Sequence, residues 1–203
     1  SQSSKKIIVR VEGGIGNQLF MYAAGRRLAL VNSAELVIDD VNGFKWDNLY
    51  QRKYQLDHFH VRCRKATSAE RLEPFPRIRA RLLKSLNRYL PFEKRTYVSQ
   101  EGLDFDPRLL GLRIRSSLYL EGYWQSERYF KDVESIIRED LRVKPPIDTQ
   151  NQNMAEEIAS HLAVAVHIRF FDEHKENDRN NLEIEYYLRA IERMEHMLNR
   201  AHY

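Results

Sequence analysis

The chain has 203 residues, 42% hydrophobic and 31% charged, which is enough for one large or two small globular domains with a buried core. Its 33 basic and 29 acidic side chains leave a net charge of +4, an excess too small for nucleic-acid binding without a local basic patch. No apolar run reaches the roughly 18 residues that a bilayer crossing needs, the opening "SQSSKKIIV" has too short an apolar core for a secretory signal, and the single cysteine, Cys63, excludes an internal disulfide or a thiolate metal cluster. A cytoplasmic protein is expected.

In chain order, residues 6 to 12 alternate as a strand that runs into the glycine-rich turn "GGIGNQ", and 17 to 31 place Leu19, Phe20, Ala23, Ala24 and Leu28 on one helical face. "AELVIDD", 34 to 40, reads as a second strand closing on two carboxylates. The polar and aromatic stretch after it, "NGFKWDNLYQRKYQLDHFHV", has no clear period and suits a surface or site-lining segment. From 73 to 91 a proline-bounded segment repeats Ile78, Leu82, Leu86, Tyr89 and Leu90 at helical spacing, with Arg77, Arg79, Arg81, Lys84 and Arg88 between them. A strand follows at 117 to 124, and a helix at 126 to 141 with Ser126 as its N-cap. "KPPIDTQNQN", 144 to 153, reads as a linker; a short helix at 154 to 161, the strand "LAVAVHIRF" and a last helix at about 183 to 200 complete the chain. Strands alternating with helices predict an α/β fold: a Rossmann-like parallel sheet with flanking helices, in a first domain at 5–143 and the start of a second at 154–203.

Strand, glycine turn and helix in that order present backbone N–H groups at a helix N-terminus, where unpaired donors and the helix dipole favour an anion. Gly13, Gly14 and Gly16 let a phosphate or sugar come close, and Asn17 and Gln18 add amide groups at the mouth. The spacing is neither a dinucleotide fingerprint nor a P-loop, so a tight connection without ligand fits the glycines equally well. "AVAVHIRFFDE", 163 to 173, puts His167 and Arg169 on one side of a strand end, with Asp172 and Glu173 beyond. A guanidinium there can grip a phosphate through two parallel hydrogen bonds; packing and surface charge are the ordinary alternative.

Together, "VRVEGGIGNQLFMYAAGRRLA", "YQLDHF" at 54 to 59, "YLEGYWQSERYF" at 119 to 130 and "VHIR" at 166 to 169 resemble the α-1,2-fucosyltransferases of glycosyltransferase family 11, over about residues 6 to 192. The resemblance implies two Rossmann-like lobes of the GT-B type, GDP-fucose as donor, inverting transfer of fucose to O2 of a galactose-containing glycan, and no metal or other cofactor. It places His167 and Arg169 by the donor diphosphate and lines the cleft with Gly13 to Gln18. Two departures stand out. The family often reads H-x-R-R-G-D where this chain has His167, Ile168, Arg169, Phe170, Phe171 and Asp172, losing one guanidinium. The family's second lobe also continues well beyond the helix that follows this motif. If nothing follows Tyr203, most of the guanine-binding lobe is missing, and a sugar- or nucleotide-binding relative without turnover is the alternative.

The departing diphosphate calls for charge stabilisation, for which Arg169 and the amides after Gly14 are the natural groups. Asp39, Asp40, Asp57 and Glu121 are the candidate general bases, with a solvated surface carboxylate as the ordinary reading of each. Asp57, His58 and Trp124 are candidate acceptor contacts, His60 and Tyr123 further ones, although "GYW" also suits a core. The basic helix at 77–90 fits either peripheral contact with an anionic membrane or packing of its stripe on its own domain. Nucleic acid is not an expected partner, since no aromatic-interleaved basic track accompanies the helix.

Overall fold

The computed structural model describes residues 5–146, 148–168 and 182–198. The chain divides into two compact units after Lys144.

The first unit is built on β1 (Lys6–Arg10), α1 (Ile15–Asn32), β2 (Glu35–Asp39), β3 (Arg64–Lys65), α2 (Pro76–Arg88), β4 (Tyr97–Ser99), α3 (Arg108–Gly111), β5 (Ser117–Glu121) and α4 (Glu134–Asp140). Its five strands pair in the order β3-β2-β1-β5-β4, all parallel. This is the α/β, Rossmann-like sheet that the alternation of strands and helices predicts. β1 is central because its apolar core, Ile7, Ile8 and Val9, suits a strand covered on both faces. Ile8 stands level with Val37 on one side and Tyr119 on the other.

Helices cover both faces. Under α1 lies the larger core, with Ile7, Val9, Met21, Tyr22, Leu28, Leu118 and Leu120 among its buried members. Burying each such aliphatic side chain contributes about 1.5–3 kcal/mol. A Cβ on Gly25 would stand 2.4 Å from Val9 Cγ2, so the bare backbone there lets α1 lie close on the sheet. Asn32 ties the end of α1 to the approach to β5: its amide donates to Leu28 O and Leu112 O, and its carbonyl accepts from Ile114 N at 2.8 Å. The opposite face buries Ile8, Val37, Ala66, Tyr97 and Tyr119 beneath Leu72, Ala80 and Leu83. Burial pushes the Cys63 thiol up to about 11, against the hydrogen bond to Tyr54, so it is protonated at neutral pH.

Several sequence expectations need correction. The helix expected at 126–141 is broken into 3-10 turns at Glu127–Tyr129 and Lys131–Val133 before α4. Ser126 does cap, accepting from Arg128 N at 3.4 Å, but it caps the first 3-10 turn. The break follows from Tyr129, whose buried ring packs edge-on to Trp124 and whose hydroxyl accepts from Asp106 N at 2.7 Å. The short strands β3 and β4 give too little pattern to be read in advance.

The second unit holds α5 (Thr149–Ser160) and α6 (Ile184–Leu198). The expected linker therefore includes a helix start: Asp148 accepts from Asn151 N at 2.8 Å and opens α5 inside the polar run. Over 162–168 no strand forms, and Ala163 alone holds a bridge. A strand needs neighbours for its N–H and C=O groups, and none stands among the described residues of this unit. Among the described residues no helix is long and apolar enough to cross a membrane.

Candidate functional site

In a parallel sheet, ligands collect beyond the carboxyl ends of the strands, where neighbouring connections diverge. Here Arg10 at the end of β1 stands level with Asp39 of β2 and Glu121 of β5, so three charged residues share one row across the sheet edge. Beyond that row lies a cavity of about 320 Å³. Arg10, Glu12 and Gly13 bring the end of β1 to it, Trp46 the loop after β2, Arg77 the start of α2, and Tyr123 the loop after β5.

The charges are fixed by their partners. Arg10 donates to Glu121 Oε1 at 2.7 Å and to Glu12, while its Nε has no partner among the described residues. Glu121 also accepts from Lys84 Nζ at 2.7 Å and from the Tyr97 hydroxyl. Burial alone would raise the Glu121 carboxyl, but the bonds from Lys84 and Tyr97 and the charge of Arg10 outweigh it and hold Glu121 below the ordinary carboxylate range. The Tyr119 hydroxyl donates to buried Asp39, and the Tyr97 and Tyr119 rings stack with centroids 5.0 Å apart. The Arg77 guanidinium lies 4.0 Å over the Trp46 ring. Such a cavity offers carboxylate acceptors for hydroxyl groups, aromatic faces for the apolar face of a sugar, and guanidinium charge for an anion.

The glycine turn joins this cavity at Gly13. Gly13 has φ +76°, and a Cβ there would meet Asn17 Nδ2 at 2.8 Å. Gly14 and Gly16 have nothing within 4 Å of where a Cβ would stand. Gly14 is the N-cap of α1, and no side chain caps that end. Asn17 accepts from Gln125 Nε2 at 2.7 Å, linking the turn to the loop after β5. Gln18 is placed differently from the expectation. Fully buried, it donates to Gly13 O and Lys53 O and accepts from Gln55 N, so its amide braces the fold and is not free at the mouth.

The other candidates are scattered. Trp124 is 1% exposed within the core, which removes it from acceptor contact. Asp57 and His58 are exposed on a 3-10 turn away from the cavity lining, with Asp57 and Asp40 both paired to Lys65. Asp39 spends its oxygens on Val41 N, Asn42 and Tyr119. In the second unit His167 is exposed and borders a cavity of about 180 Å³ between residues 164–167 and α6. Arg169 and Asp172 lie outside the described residues. The stretch after β2 lines the cavity through Asn42, Gly43, Trp46, Asp47 and Arg52, as its lack of period suggests, whereas Arg10, Glu12 and Arg77 are cavity residues that the sequence expectations omit. For Arg10 and Glu12 a signal existed: "VRVEGG" carries charge at alternate positions where a buried strand ends.

The chain is similar to the Alpha-1,2-colitosyltransferase of Escherichia coli, 26% identical over 165 residues that make up 80% of this chain and 53% of that protein. The relationship is to a glycosyltransferase. The chain spans about half the length of the curated relative it matches. No family model and no solved structure matches. The matched stretch covers most of the chain, so it takes in at least part of the parallel sheet whose edge carries the cavity.

Proposed function

We propose that this chain contributes the first lobe of an inverting glycosyltransferase that moves a deoxy sugar, L-fucose in the reading the sequence favours, from GDP-fucose to O2 of a galactose-type acceptor. The observation that carries the proposal is the likeness to a protein named for α-1,2 transfer, the same linkage that the sequence motifs suggest. The cavity at the sheet edge supports it as a place for a sugar ring beside fixed charges.

In the reaction the acceptor O2 attacks C1 of the donor sugar, the bond from C1 to the diphosphate oxygen breaks, and the acceptor proton leaves to a base. Among carboxylates, Glu121 is held by three donors, Asp39 is saturated, and Asp47 at the cavity accepts from Tyr50 N and Arg52 N through its two oxygens, whereas Glu12 borders the cavity with Arg10 as its partner. Glu12 is therefore our assignment for the base. The resemblance assigns His167 and Arg169 to the donor diphosphate, with Asp172 or Glu173 as the group that would hold Arg169.

The test is transfer by the full-length protein from GDP-fucose to galactosides, with the colitose counterpart of that donor and GDP-mannose alongside. Glu12→Gln should lower turnover on the order of 10²–10⁴-fold while leaving donor affinity near wild type. Equal turnover by this variant would remove Glu12 as base. No transfer from either deoxy-sugar donor, with GDP binding absent by calorimetry, would overturn the reading altogether.

A further inference from the structure

α2 has two apolar faces, and only one is used by the fold. Ala80, Leu83 and buried Asn87 face the sheet, where Asn87 accepts from Thr96 N at 2.7 Å. On the other side Ile78, Leu82, Leu86 and Tyr89 are 61%, 57%, 67% and 83% exposed, and Phe75 precedes them in the same state. Their spacing of three and four residues makes them one continuous stripe.

Charge frames that stripe. Between residues 76 and 90 there are five cations, Arg77, Arg79, Arg81, Lys84 and Arg88, and no acidic residue. Removing those five from the chain's 33 basic residues leaves 28 against 29 acidic ones, so this one helix holds the whole positive excess. Helical geometry puts Arg79 along one border of the stripe and Arg81 and Arg88 along the other. The side chains of Arg81 and Arg88 make no hydrogen bond or ion pair among the described residues.

We propose that this face of α2 docks in the plane of an anionic lipid surface, with Ile78, Leu82, Leu86 and Tyr89 entering the acyl boundary and Arg79, Arg81 and Arg88 at the headgroups. An apolar stripe with cations along both borders, of which Arg79 donates to Glu73 O while Arg81 and Arg88 are unpaired among the described residues, is the surface that such a bilayer takes. A second copy is the wrong occupant, because two such helices would bring six bordering guanidinium groups, Arg79, Arg81 and Arg88 of each, together with no acidic residue in either helix. The inference is independent of the transfer reading, since the stripe and the arginines along its borders lie outside the cavity lining.

The experiment is co-sedimentation of the full-length protein with vesicles of phosphatidylcholine alone or mixed with phosphatidylglycerol, at low and high salt. Binding should require phosphatidylglycerol and weaken with salt. Leu82→Ser with Leu86→Ser, both on the exposed face, should cost at least about tenfold in vesicle affinity with an unchanged circular dichroism spectrum. Arg81→Gln with Arg88→Gln should cost roughly fivefold per cation removed. Absence of binding, equal binding to neutral vesicles, or wild-type affinity in both double variants would overturn the proposal. So would a dimer that Leu82→Ser with Leu86→Ser dissociates, which would assign the stripe to a second copy.

Discussion

At Gly13 the backbone sits at φ +76°, where a side chain is strained, whereas Gly14 and Gly16 have open space where a Cβ would stand. The three glycines therefore separate in experiment. Gly13→Ala should cost about 1–2 kcal/mol of stability. Replacing Gly14 or Gly16 by alanine should leave stability within about 1 kcal/mol. If a ligand approaches the turn, the latter variants should still lose donor affinity by calorimetry; unchanged affinity would make the two glycines incidental. The glycine turn was legible in the sequence because glycines between a strand and a helix mark a special connection. The difference between Gly13 and its neighbours was not, because it depends on the space around each Cα. The same limit explains Gln18, whose partners at Lys53 and Gln55 lie more than thirty positions away along the chain.

Among the elements, β1, α1, β2 and β5 were legible from period and composition, since each buries an apolar run that local pattern already contains. The stretch from 126 to 141 was not, because its helical period is overridden by Tyr129 inserting into the core. α2 was half legible. The stripe was read, but the face placed on the sheet is the smaller one, built around Ala80, Leu83 and the bonding of Asn87. The contact between α1 and α4 also rests on polar chemistry that no periodicity announces. Asp140, 2% exposed, accepts from the Tyr22 hydroxyl and from Arg26 Nε, each at 2.8 Å. Asp140→Ala would leave that hydroxyl and guanidinium without their acceptor and should destabilise the protein by about 3 kcal/mol, readable as a lowered urea midpoint.

For the molecule as a whole, charge pairing sets a pH window. Bonds from Arg64 and Lys6 hold Glu70 well below its ordinary value of 4.5, bonds from Arg108 lower Asp106, and those from Arg27 lower Asp132. Groups depressed in the fold stabilise it above the unfolded carboxylate range and lose that contribution as pH falls through it. Thermal midpoints should therefore drop below about pH 4.5, less steeply in Glu70→Gln than in wild type. The buried tyrosines act at the other limit. Burial raises Tyr22, Tyr54, Tyr97, Tyr119 and Tyr129 above their ordinary value of 10.0, so the stability they contribute is intact below that pH and lost above it. All five lie in the unit that ends at Lys144. As the solution is made alkaline, the near-ultraviolet phenolate absorbance of these five should arrive late and together as the sheet comes apart, so the stacked rings beside Glu121 and Asp39 double as an optical gauge of whether the first unit is intact.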